Sequence, residues 1–272
     1  MSEQEVFFSI DIESDGPIPL SNSMLSIACA AFAPSGELMG TFERNIKPPP
    51  GAVQDPRTMK EFWSRFPEQW DLCTKDPLQP VDAMNQFVEW VNSFPTKDKI
   101  AVCAPAAFDW PFVMLYIGKF SDYSNPFDFR CIDIKSYVSG SRKTLYRRSA
   151  KGNWPGRWFD RDLPHTHKAL DDAIEQGLSF VKIRAENVEG QDAVERVSWT
   201  FWNSFRGRPA KMVGLRDGKG RVELSSGDHM TFNESVWAGE DPTPGMDVRV
   251  FYLPEKGVFR AGADWTKLLE SR

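Results

Sequence analysis

Val6-Phe-Phe-Ser-Ile-Asp-Ile-Glu13 is an apolar run that ends in two acids and is followed by the turn Ser14-Asp-Gly-Pro17. β-Branched and aromatic residues bounded by Gly and Pro predict a β-strand. Side chains alternate faces along a strand, so Asp11 and Glu13 share one face. The same spacing recurs at Glu3/Glu5, Glu13/Asp15 and Asp160/Asp162. What sets Asp11 and Glu13 apart is the apolar flank before them and Ile12 between them. Two acids at the end of a buried strand repel each other unless a cation neutralises them. Hard divalent cations such as Mg²⁺ prefer carboxylate oxygens.

Downstream, Met24 to Ala33 is a second apolar run, Pro34-Ser-Gly-Glu37 a turn, and Leu38 to Ile46 an alternating third strand. Lys47-Pro-Pro-Pro-Gly51 breaks the pattern, and Asp55-Pro56 starts a helix over Met59, Phe62 and Trp63. Val81, Met84, Phe87, Val88 and Val91 recur at helical spacing. Ile100 to Ala104 predicts a short buried strand, Asp109 to Phe120 a helix, and Phe129 to Ile134 a further strand. Residues 140–166 are irregular and basic. A last helix carries Leu170, Ala173, Ile174, Leu178 and Val181 on one face. This alternation predicts an α/β fold with a mixed sheet flanked by helices. After Asn187-Val-Glu-Gly190 the pattern becomes β-rich: Val197-Ser-Trp-Thr-Phe201, Met212 to Leu215, Arg221 to Leu224 and Val248 to Leu253 alternate like strands. The expected domains are therefore 1–190 and a small β-rich unit over 191–272.

The chain has 272 residues and a net charge of −5, from 33 basic and 38 acidic residues. Its 41% apolar and 26% charged content is ordinary for a folded protein and excludes wholesale disorder. An acidic total argues against a protein that coats nucleic acid with its whole surface, though not against a local basic groove. The N-terminus has no basic n-region, and the longest apolar stretch, Ile27 to Ala33, is far short of a membrane span. Cys29, Cys73, Cys103 and Cys131 have neither zinc nor redox spacing. They read as reduced thiols of a cytoplasmic protein.

Two further sites join the first pair. Asp109, in Ala106-Ala-Phe-Asp-Trp-Pro-Phe112, lies where a strand hands over to a helix, a position that suits an N-cap or a metal ligand. His165 and His167 precede Asp171-Asp172. A residue five positions on lies about 140° around a helix, so His167 and Asp172 cannot share a helical face. From the turn before the helix, however, the ring can stand a water's width from a metal held by an acid on it, where a general base acts. The helical wheel does not choose between Asp171 and Asp172.

Asp11-Ile-Glu13, Phe108-Asp109 and His167-Lys-Ala-Leu-Asp-Asp172 together resemble, in order, the three motifs of the DnaQ-like 3′→5′ exonuclease superfamily in its histidine-bearing DEDDh branch. The family's His-x4-Asp spacing selects His167 and Asp172. The Asp-Gly-Pro turn and Asp55-Pro-Arg-Thr58 resemble the exoribonuclease-like subgroup, and the similarity covers about residues 6–185. It implies a ribonuclease H-like fold and two Mg²⁺ or Mn²⁺ ions. Asp11 would bridge the two ions, Glu13 and Asp172 would complete the first site, and Asp109 would support the second. His167 would deprotonate the attacking water, and nucleoside 5′-monophosphates would be released.

Residues 142–168 carry eight basic groups against Asp160 and Asp162, with Tyr146, Trp154, Trp158 and Phe159 interleaved. Basic groups contact phosphates and aromatic rings stack on bases, so the expected partner is single-stranded nucleic acid or a short oligonucleotide. Ser14, Phe108, Arg147, Arg148, Trp154 and Arg157 are the candidate substrate contacts. A catalytically silent nucleic-acid-binding or assembly module on the same fold is the alternative. Residues 191–272 hold twelve basic and twelve acidic groups and so cannot act as an electrostatic clamp. They are expected to be dispensable for cutting very short oligomers and to serve longer strands, a protein partner or a homodimer.

Overall fold

The computed structural model describes residues 5–163, 166, 168–205, 207–216, 218–225, 227–233, 237–238, 242–253 and 258–262. The first sheet holds β1 (Val6–Ser14), β2 (Met24–Phe32), β3 (Leu38–Asn45), β4 (Lys99–Cys103) and β5 (Cys131–Asp133). Its order is β3-β2-β1-β4-β5, antiparallel from β1 through β3 and parallel from β1 through β5. This is the mixed sheet that the sequence predicts. Helices cover it on both faces, so β1 is buried over most of its length.

The alternation along β1 assigns the two faces. Val6, Phe8, Ile10 and Ile12 pack against α3 (Pro80–Asn92) and α4 (Ala106–Phe120). Phe7 faces the opposite layer, formed by α5 (Ile134–Ser141), α6 (Ala169–Glu189) and α7 (Ala193–Ser204). Asp11 and Glu13, in step with Phe7, therefore point toward α6. Two short helices, α1 (Pro56–Glu61) and α2 (Pro67–Thr74), lie upstream of α3. Asp55 caps α1 by accepting from the Thr58 amide, with Pro56 at the first helical position as expected.

α6 crosses β1 and β2 at Gly177. A Cβ there would overlap the Phe32 ring and come within 2.7 Å of the Ser9 Cβ. Only glycine lets the helix lie this close to the sheet.

The C-terminal sheet holds β6 (Arg208–Arg216), β7 (Lys219–Leu224), β8 (His229–Asn233), β9 (Trp237–Ala238), β10 (Asp247–Leu253) and β11 (Val258–Gly262). Its order is β8-β7-β6-β10-β11-β9. One stretch expected to be a strand is not one: Val197-Ser-Trp-Thr-Phe201 lies inside helix α7. Its apolar residues fall at every second position because two opposite faces of the helix are buried. Val197, Phe201 and Trp202 enter the core beside α6, while Trp199 enters the core of the C-terminal sheet. Of the expected strand Phe129 to Ile134, only Cys131–Asp133 pairs. Its C-terminal end becomes α5, capped by Asp133, which accepts from the Ser136 amide. All four cysteines are free, and Cys29, Cys73 and Cys103 are buried. Among the described residues no helix is long and apolar enough to cross a membrane.

Candidate active site

The site forms where β1 outruns its neighbour. β1 pairs with β4 only from Val6 to Ser9, so its next backbone groups on that edge need other partners. The Gln176 side-chain amide of α6 donates to the Ile10 carbonyl at 2.7 Å. That bond ties α6 to the strand segment that carries Asp11 and Glu13, and on α4 the Asp109 carboxylate feels the pull of the Ile12 amide.

Asp109 heads the buried stripe Asp109, Phe112, Val113, Tyr116 and Ile117, whose spacing of three, four, seven and eight aims the carboxyl inward with the apolar residues. It lies inside the helix, whose cap position is Pro105, so the N-cap role is not the one it plays. On α6, the two neighbouring acids do different work. Asp171 accepts the Thr166 hydroxyl at 2.6 Å, whereas the charge of Asp172 acts on Asp11 and Glu13.

The four carboxylates make an electrostatic unit. Burial pushes Asp11 well above the usual carboxylate range, and repulsion from Asp109, Glu13 and Asp172 adds to it. Glu13 is raised to about 8 by burial, then by Asp172 and Asp109. Asp109 is raised to about 7 by burial, against the pull of the Ile12 amide. Asp11, Glu13 and Asp109 therefore keep their protons to higher pH than ordinary carboxylates unless a cation replaces them. The donors suit hard divalent cations. Among the described residues no three such side chains close on a common point, so the fit is one of donor chemistry and mutual charge.

His165 and His167 lie outside the described residues. Thr166, between them, is held from two sides. Its hydroxyl donates to Asp171, and its carbonyl accepts from the Gln69 amide of α2 at 3.3 Å. A groove of about 380 Å³ opens beside Glu13, lined among others by Ser26, Arg44, Gln69 and Lys168.

The expected substrate contacts separate into exposed and internal groups. Arg147 and Arg148 are exposed on the short 3₁₀ turn Tyr146–Ser149. Phe108 is partly buried, 5.6 Å from the Phe112 ring and one residue from Asp109. Trp154 is turned inward, with its indole N–H donating to the Ser149 carbonyl at 2.8 Å, so it forms core and not a stacking platform. Arg157 is engaged twice by the Glu186 carboxylate, at 2.7 and 2.6 Å, which leaves it poorly placed to hold a phosphate. The Ser14 hydroxyl is buried and donates within its own turn to the Gly16 carbonyl.

The basic segment is thus answered by α6. Glu186 takes Arg157 and the Trp158 N–H, and Glu175 takes Lys151 at 2.6 Å. Lys151 also lowers the Asp11 carboxyl against the dominant effect of burial. Sequence reasoning missed Gln176, Lys151 and Thr166. The available signal for Gln176 was a polar residue within the apolar stretch from Ala173 to Val181.

No family model matches the chain. The 3′-5′ DNA exonuclease Cap18 of Escherichia coli is 35% identical to it over 176 residues, which span 60% of this chain and 87% of that protein. The chain belongs to the family of 3′–5′ exonucleases. Two solved structures share the exonuclease fold. A full-length 3′-exonuclease, 13% identical, superposes with a TM-score of 0.51 over 90% of this chain and 98% of its own. The nuclease domain of 3′hExo, a DEDDh family member bound to rAMP, is 12% identical. It superposes with a TM-score of 0.50 over 70% of this chain and 96% of its own. In this exonuclease the five strands of the first sheet lie in the stretches that the sequence predicts.

Proposed function

We propose that the chain removes nucleotides one at a time from the 3′ end of single-stranded nucleic acid and releases nucleoside 5′-monophosphates. The observation that carries this reading is the nest of four mutually repelling carboxylates, Asp11, Glu13, Asp109 and Asp172, at the open end of β1. Asp11, with Glu13 and Asp172 on one side and Asp109 on the other, would hold two Mg²⁺ or Mn²⁺ ions. When bound, such a pair stabilises both the attacking and the leaving oxygen of an in-line displacement. His167 takes the proton of the attacking water on its imidazole nitrogen, and Thr166 anchors the backbone just before it. The exposed Arg147 and Arg148 bind the incoming phosphates, and the groove beside Glu13 receives the terminal nucleotide.

The name of the Escherichia coli relative supports DNA as the substrate. Residues 1–190 form the nuclease unit in this reading and 191–272 the accessory unit, with α7 packed back into the nuclease core. Four free thiols suit a reducing, cytoplasmic setting.

The test uses matched DNA and RNA oligomers labelled at either end, with Mn²⁺ or EDTA. A 3′ label appears at once as mononucleotide, a 5′ label as a descending ladder, and EDTA stops both. Binding without cleavage in Mn²⁺ establishes the silent module instead.

A further inference from the structure

The basic segment that leads to His167 is fastened at Asp160 and Asp162, partly by the C-terminal region. Asp160 and Asp162 both point inward, with side chains 1% and 0% exposed. One Asp160 oxygen accepts the Ser198 hydroxyl and the Trp202 indole N–H, each at 3.0 Å and both from α7. The buried Lys182 ammonium of α6 lies 3.6 Å from the same oxygen and donates to the Phe159 carbonyl at 3.2 Å. Arg208, the first residue of β6, donates from Nε to Asp162 at 2.9 Å. Its guanidinium lies 5.3 Å from the centre of the Trp199 ring of α7. Arg208 is thus held between a carboxylate from the nuclease segment and an aromatic ring in the core of the C-terminal sheet.

Asp162 precedes Thr166 by four residues and His167 by five. With Thr166 itself tied to Asp171 and Gln69, this stretch of chain is fixed at both ends. We propose that Arg208 and Asp162 are positioning residues for the general base: the C-terminal region holds the chain at Asp162, five residues before His167. The proposal rests on the reading of His167 as the base. It gives 191–272 a part in the chemical step without placing any of its residues against the substrate. It runs against the expectation that residues 191–272 are dispensable for cutting very short oligomers, since a cut at 190 removes Arg208, Ser198 and Trp202 together.

Removing Arg208 alone leaves a buried, unpaired carboxylate and endangers folding. The informative variant is therefore the full chain with Arg208→Leu and Asp162→Leu together, which replaces the buried pair by apolar side chains. Turnover on a short oligonucleotide, KM, and the same pair of changes on a His167→Ala background are measured, with circular dichroism as the folding control. Misplacement of a catalytic group by about 1 Å can lower the rate about 10²-fold. A fall in kcat of about tenfold or more is expected, with KM changed less than about threefold. On the His167→Ala background the pair should cost nothing further, because groups that act as one unit are not additive. Arg208→Lys, which keeps the charge and a donor, should recover part of the rate. A folded double variant with wild-type kcat overturns the positioning role, as does an equal additional loss on the His167→Ala background. If His167→Ala alone leaves turnover intact, the base assignment fails, and the positioning role fails with it.

Discussion

β1 and β7 both carry apolar residues at alternate positions, yet the molecule treats them differently. β1 is buried on both faces, between α3 and α4 on one side and α6 on the other. β7 exposes every second residue to water. Acids at the end of a strand covered on both faces lose solvation and feel one another strongly, which raises Glu13 to about 8. Acids on an open sheet face, such as Glu223 on β7, keep their water. The difference teaches that ligand chemistry needs the doubly covered sheet, while the open sheet serves as a support whose inner face grips α7.

The largest effect that tests this contrast is at Asp11. Asp11→Asn should lower kcat by about 10³-fold, the scale of a lost preorganised electrostatic group, with an unchanged circular dichroism spectrum. Retention of more than a few per cent of the rate in Mg²⁺ would remove Asp11 from the centre of the site.

Two glycines sharpen the comparison. Gly177 lets α6 lie on β1, and Gly220 makes room for the Phe232 ring in the C-terminal sheet. Overpacking typically costs 1–3 kcal/mol, so Gly177→Ala and Gly220→Ala should each lower Tm, by roughly 2–8 °C in a chain of this size. Gly177→Ala should also lower kcat about tenfold, because it lifts Asp172 and Gln176 away from the strand. Gly220→Ala should leave kcat within about twofold. Equal kinetic effects would contradict the division of labour between the sheets.

The raised carboxylates make the metal-free protein pH-sensitive. Folded, it binds more protons than the unfolded chain from about pH 4, the ordinary carboxylate value, up to about 8. Their contribution to stability is therefore fullest at the acid end of that window and is lost as pH rises through it. In EDTA, Tm should fall between pH 5.5 and 8, and Asp11→Asn should flatten the fall. Mn²⁺ should raise Tm more at pH 8 than at pH 5.5, since it binds the ionised form. A Tm in EDTA that rises steadily with pH would mean the acids are not held at one another's expense.

The smallest effect is at Arg147 and Arg148. Their joint replacement by Ala should reduce the slope of log KM against log salt by about 1, at unchanged kcat. No change in slope would mean that the two arginines face away from the strand.

Much of the nuclease unit was legible because its signals are local. A period of two along Val6 to Glu13 put Asp11 and Glu13 on one face, and helical spacing from Val81 to Val91 predicted α3. Both patterns hold within a single element, where backbone geometry alone sets the direction of a side chain. What only the tertiary structure decided lies between elements. Trp154 and Arg157 read as nucleic-acid contacts until α6 supplied Glu186 and a core wall. Val197 to Phe201 read as a strand because alternate burial arises equally from a strand with one wet face and from a helix buried on opposite sides. Asp171 and Asp172 are equivalent in charge and adjacent in sequence. Thr166 claims the first and the β1 carboxylates feel the second, because a helix fixes the angle between neighbours while its packing fixes which of them meets the sheet.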